Sequence, residues 1–177
     1  GSSSFVMLNA ITLGAAGGTI EISGAAESQV TLSGVISGSG SLTKTGQAIL
    51  ELSGSNSYTA GTNVIAGTLI ASHANALGTT AGGTTVSSGA TVRVAGALTL
   101  AESFNITGTG KTVSAVDYGA LHLVAGSSTI SGNIALAGDA NVSAASGATL
   151  SLNGSVSGTS SLIKTGAGTL LLNNSGN

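Results

Sequence analysis

The side chains that could do chemistry are few and widely spaced. Glu21 and Glu51 are the one candidate carboxylate pair. On neighbouring strands, two carboxylates can serve as acid and base in glycoside cleavage. No aromatic platform or arginine cluster accompanies them, so they read as two solvated charges on an outer face. His73 and His122 lie 49 residues apart, and neither has a second ligand two or four residues on, which argues against a metal site. Ser151, His122 and Asp139 supply the residue types of a hydrolytic triad. Serine is abundant here, however, and no nucleophile-elbow motif is present. Gly38-Ser-Gly40 and Gly108-Thr-Gly110 look like pieces of a phosphate loop. The first lacks an immediately following Lys-Ser/Thr, and the second has Lys111-Thr112 but no earlier glycine at the required spacing, so turn glycines are expected. Calcium-binding nonapeptides need repeated Asp, and only Asp117 and Asp139 occur. The sequence therefore assigns no catalytic, cofactor-binding or metal-binding residue. Lys44 is expected at a bend, its stem over apolar surface and its ammonium in water. Tyr58 is expected to pack at a corner with its hydroxyl on backbone.

The elements that must hold these residues follow from an unusual composition. The chain has 29 Gly, no Pro, Cys or Trp, and two each of Tyr and Phe. Charged residues make up 6 %, against about 25 % in ordinary globular proteins. The core must then be built from Leu, Ile, Val and Ala. A net charge of −2 provides no basic field for nucleic acid or anionic lipid. Missing cysteines exclude disulfide staples and thiolate metal sites. No apolar run reaches the ~18 residues of a membrane helix, and four aromatics cannot supply the girdles of a membrane barrel. No signal peptide is visible, Gly1-Ser2 reads as an expression remnant, and a soluble excised fragment is expected.

Helix periodicity is absent. Short alternating runs bounded by Gly, Ser, Asn and Thr predict strands, among them Gln29–Leu32, Ile49–Leu52, Thr68–Ala71, Thr91–Val94, Leu121–Val124, Thr149–Leu152 and Thr169–Leu172. A glycine, a short spacer and an apolar–x–apolar triplet recur from Gly18, Gly46, Gly67, Gly89, Gly119, Gly147 and Gly166. The gaps are 28, 21, 22, 30, 28 and 19 residues. This period predicts an all-β, single-stranded parallel β-helix (β-solenoid) of about seven coils. At ~4.8 Å per coil the rod is roughly 30–35 Å long. A β-sandwich, with turns every 8–12 residues or so, is the structural alternative. Alternation points Ile20 and Ile22, Leu50 and Leu52, Val92 and Val94, Leu121 and Leu123, Leu150 and Leu152, and Leu170 and Leu172 inward. It sets Glu21, Glu51, Arg93, His122, Ser151 and Leu171, with Ile70 less firmly, in one outward column. Strands at both ends leave open edges that further coils, a cap or end-to-end pairing would cover.

One block returns at a constant offset of 120 residues: Ser41-Leu42-Thr43-Lys44-Thr45-Gly46 and Leu50-Glu51-Leu52 reappear as Ser161-Leu162-Ile163-Lys164-Thr165-Gly166 and Leu170-Leu171-Leu172. Leu42, Thr43, Lys44, Gly46, Leu50, Leu52, Gly54, Asn56, Tyr58, Gly61, Thr62, Val64, Gly67, Thr68 and Leu69 follow in order a pattern that resembles the passenger-associated transport repeat of bacterial autotransporters. On this resemblance residues 1–177 are one β-helix fragment, 38–71 a full repeat, and 158–177, with Leu162, Lys164 and Gly166, the start of a second copy. The resemblance implies a right-handed winding and an architectural role for the motif residues. It also implies export past the periplasm to the surface of a Gram-negative cell, with the parent chain's outer-membrane translocator barrel as partner. The expected function is non-enzymatic: coil-by-coil folding that assists export, then service as a spacer or adhesin stalk. The alternative is a module binding glycan or host protein through one face. Regular Thr-x-Thr on successive coils, as an ice-binding face would need, is not evident among the 22 Thr.

Overall fold

The computed structural model describes residues 3–113 and 116–174. Gly1-Ser2 and the last three residues of the repeat restart at 158–177 lie outside the described residues.

Short runs of alternating apolar and Ser, Thr or Asn residues, uninterrupted by proline, form strands that pair in parallel with the run about one period later. The result is a parallel β-solenoid, as the sequence period requires, with three strand stations per turn. Ladder I contains Ser4–Met7, Gln29–Leu32, Ile49–Leu52, Gly67–Ala71, Ala90–Val94, Leu121–Leu123, the end of Ile134–Ala144, and Leu162–Thr165. Ladder II pairs Ile11–Leu13 with Ile36–Gly38 and, further along, Thr99–Leu100 with Ser127–Ile130, Thr149–Leu152 and Thr169–Leu172. Ladder III contains Gly18–Glu21, Leu42–Thr45, Thr62–Val64, Thr84–Val86, Phe104–Gly108, the start of Ile134–Ala144, and Val156–Ser157. Ile134–Ala144 runs round a corner from ladder III to ladder I, with a register irregularity opposite Ile106 and Gly108.

Steps between paired residues on ladder I are 25 (Ser4 to Gln29), 20, 19, 23, 29 (Val92 to Leu121), 21 and 22 residues. Seven steps make about eight turns. The longest step holds an excursion whose strands Thr112–Val113 and Val116–Asp117 pair antiparallel. Inside, aliphatic columns run the length of the rod: Val30, Leu50, Leu69, Val92, Leu121 and Val142 on ladder I, with Leu32, Leu52, Ala71, Val94, Leu123 and Ala144 beside them. Each fully buried Leu or Val contributes roughly 1.5–3 kcal/mol.

The register corrects the sequence-derived stacking at several points. Ile20 and Ile22 belong to the ladder III side and are only half-buried, in the first turn. Leu150 and Leu152, though buried, stack on ladder II with Leu170 and Leu172, not over Leu121 and Leu123. Leu172, expected inside, is exposed in the last turn. The recurring block also changes sides: Leu42–Thr45 lies on ladder III, whereas Leu162–Thr165 lies on ladder I. The physical reason is that a glycine before an apolar triplet marks a bend, and a triangular coil has three bends of similar chemistry.

Candidate functional site

Side-chain chemistry is concentrated on the outer side of ladder I and at the corners of the core. Part of the expected outward column forms: Thr31, Glu51, Ile70, Arg93, His122 and Ser143 are register partners on successive turns. Glu21 sits opposite Thr45 on ladder III, and Ser151 and Leu171 pair with each other on ladder II. Glu21 and Glu51 therefore make no acid–base pair. Glu51 is instead saturated by hydroxyl and amide donors: Gln29 Nε2 at 2.7 Å, Thr31 Oγ1 at 3.0 Å and Ser72 Oγ at 2.7 Å. Ser151, His122 and Asp139 are likewise dispersed, on ladder II, on ladder I and at the corner between ladders III and I. His73 accepts the Asn75 N–H at 3.0 Å in a local turn. Among the described residues no three His, Cys, Asp or Glu side chains gather where a metal could sit.

His122 departs from its expected place in solvent. It is 6 % exposed, with the Tyr118 ring edge-on at 5.0 Å between centroids, while Arg93 lies 5.1 Å from the centre of the same ring. The excursion between Gly108 and Ala120 folds over this side of ladder I. Its Lys111 N–H donates to Thr91 Oγ1 at 2.8 Å, and the Thr91 hydroxyl donates to the Gly119 carbonyl at 2.8 Å. Lys111 Nζ donates to the Gln47 carbonyl, and burial lowers its pKa. Burial, then the adjacent Arg93 charge, pushes the His122 pKa down to about 4. The signal for this cover was the 30-residue gap from Gly89 to Gly119, the longest of the series.

Lys44 also contradicts its expected solvation. Alternation along Leu42–Thr45 turns Leu42 and Lys44 inward, and Lys44 stands in the core column of Ile20, Val64, Val86, Ile106 and Leu136. It is fully buried, its ammonium donating to the carbonyls of Thr45 (2.6 Å), Gly46 (2.7 Å) and, from the next turn, Ala66 (3.1 Å). Burial, then repulsion from Lys111, brings its pKa down to about 8, with Glu21 opposing. Lys164 keeps the bond to the Gly166 carbonyl but is exposed in the last turn.

A second motif residue, Asn56, also ties turns together. Asn56 Oδ1 accepts the Ile36 N–H at 2.8 Å, and its amide donates to the Ala76 carbonyl at 2.6 Å, so one side chain joins three turns. Tyr58 is buried as expected, but its hydroxyl pairs with Thr62 Oγ1 at 2.5 Å and not with backbone. Burial raises its pKa. Sequence reasoning passed over Glu102. It is 4 % exposed, accepts the Thr84 hydroxyl at 2.8 Å, and is pushed up to about 7 by burial. No local pattern marks it, because its partner comes from the preceding turn.

Residues 42–71 and 162–177 match the family described as Passenger-associated-transport-repeat. The chain carries passenger-associated transport repeats. The two repeat matches fall on Leu42 to Ala71 and on the final turn, the segments that bear the buried and the exposed lysine. The chain is also 31 % identical over 175 residues to the "Adhesin BmaC autotransporter" of Brucella suis biovar 1 (strain 1330), covering 93 % of this chain and 5 % of that protein. It thus spans about a twentieth of the relative's length. No solved structure matches. The repeat-bearing solenoid is distantly related in sequence to part of an autotransporter adhesin.

Proposed function

We propose that this segment is a non-enzymatic, right-handed rod of an exported passenger, whose folding turn by turn assists passage across the outer membrane through the parent chain's own translocator barrel. The observation that carries this reading is the pairing pattern: each solenoid strand bonds to strands of the adjacent turns, so a newly emerged turn finds its partner already in place. Each turn that docks buries several aliphatic side chains and opposes back-sliding. Residues 38–71 then act as a full repeat and 158–177 restart it, with Lys44 and Asn56 fastening one turn to the next. After export the rod serves at the cell surface, or in secreted form, as a spacer or adhesin stalk. Deleting residues 38–71 from the parent protein should lower its surface level and slow its appearance there in a pulse–chase protease-accessibility assay. Unchanged export kinetics would sink the proposal.

A second reading, an adhesive module for glycan or host protein, draws support from the name of the BmaC relative and from a depression on ladder III.

A further inference from the structure

We infer that the outer side of ladder III holds a binding site for a neutral, N-acetylated oligosaccharide. The inference rests on the adhesive reading above and gives it a place and a ligand class. A depression of about 300 Å³ spans three successive turns and is lined by Gly82, Gly83, Thr85, Asn105, Asn133 and Ala135. That volume is at the lower end of the range for small-molecule sites. Register places Thr85, Asn105 and Ala135 one above another. The floor is kept low by residues with little or no side chain. At Gly82 none fits, since a Cβ would stand 2.1 Å from the Gly61 nitrogen.

Charge selects the ligand class. The outer positions of ladder III from the second to the sixth turn are Thr43, Thr45, Asn63, Thr85, Asn105 and Ala135, with Ile65, Ser87 and Thr107 at the strand ends, and none is ionisable. Ladder I, by contrast, presents Glu51 and Arg93. An anionic ligand would lose hydration over ladder III without meeting a counter-charge, because the only carboxyl bonded to the lining among the described residues, Glu102 behind the Thr84 hydroxyl, is itself acidic. Two carboxamides on adjacent turns offer donors and acceptors instead. The Asn105 carboxamide has no hydrogen-bond partner among the described residues, and the residue is exposed. Asn133 uses Oδ1 for the Ser155 N–H at 3.1 Å and leaves its amide nitrogen available. An acetamido group carries one N–H and one carbonyl, which these amides complement, and the Ala135 methyl and the glycines leave room for its methyl group. The Thr85 hydroxyl serves a sugar hydroxyl.

The test is an amide NMR titration of the whole chain with triacetylchitotriose, with maltotriose as the neutral sugar lacking acetamido groups, and with trigalacturonate as the acidic one. Saturable shifts are expected at Gly82, Gly83 and Asn105 with triacetylchitotriose, weaker ones with maltotriose and none with trigalacturonate. Ala135→Met, which fills the depression from an exposed position, and Asn105→Ala should each weaken binding at least about tenfold while leaving the rest of the spectrum in place. Absence of saturable shifts at these residues, equal response to trigalacturonate, or indifference to both substitutions overturns the site. Shifts mapping to ladder I instead would overturn the site yet leave the adhesive reading standing.

Discussion

At the scale of single residues, burial sets the pH response. Glu102 titrates near 7 in the folded chain, above its ordinary 4.5. Between those values the folded state holds a proton that the unfolded state has released, so Glu102 makes stability fall as pH rises through this window. Above pH 7 the buried carboxylate costs on the order of 3 kcal/mol. Glu102→Gln keeps an acceptor for the Thr84 hydroxyl and cannot ionise. It should be more stable than the parent at pH 8 and close to it at pH 4.5 in urea denaturation, and an equal difference at both pH values would refute the argument. His122 acts in the opposite sense. Its folded pKa of about 4, against 6.5, means the unfolded chain takes up the proton first, and stability falls as pH drops from 6.5 towards 4. That contribution is common to both proteins and cancels in the comparison.

At the scale of the element, close stacking of turns explains the glycine content better than phosphate binding would. Gly40, in the Gly38-Ser-Gly40 piece, is buried, and a Cβ there would lie 1.9 Å from the Gly14 carbonyl oxygen of the turn below. Gly89 has a left-handed φ of 80° but open space where its Cβ would be. Gly89→Ala should therefore cost only the backbone term, about 1–2 kcal/mol. Gly40→Ala must push two turns apart and should cost more, or prevent folding of the first two turns. Thermal unfolding of the two variants checks the order, and equal effects would refute it. The sequence reveals strands and their period because both depend on local alternation and on bends. It does not reveal which ladder a strand joins, since Leu42–Thr45 and Leu162–Thr165 agree at three of four residues yet occupy different sides. Nor does it reveal that Lys44 is buried, because an acceptor of its ammonium, the Ala66 carbonyl, belongs to the next turn.

At the scale of the whole molecule, the rod has no single centre. Leu69 is fully buried on ladder I, stacked between Leu50 and Val92, and touches the rest of the chain through those neighbouring turns. Leu69→Ala should cost about 2–5 kcal/mol through lost burial and the cavity left behind. In a stack held by nearest-neighbour contacts that loss stays local. Amide hydrogen exchange should accelerate in Ile49–Leu52, Gly67–Ala71 and Ala90–Val94, while Ser127–Ile130 and Thr149–Leu152, two and three turns away, keep their protection. A uniform loss across all strands would mean that the eight turns unfold as one unit. Folding outside the cell could then not proceed turn by turn, and the export role would lose its physical basis.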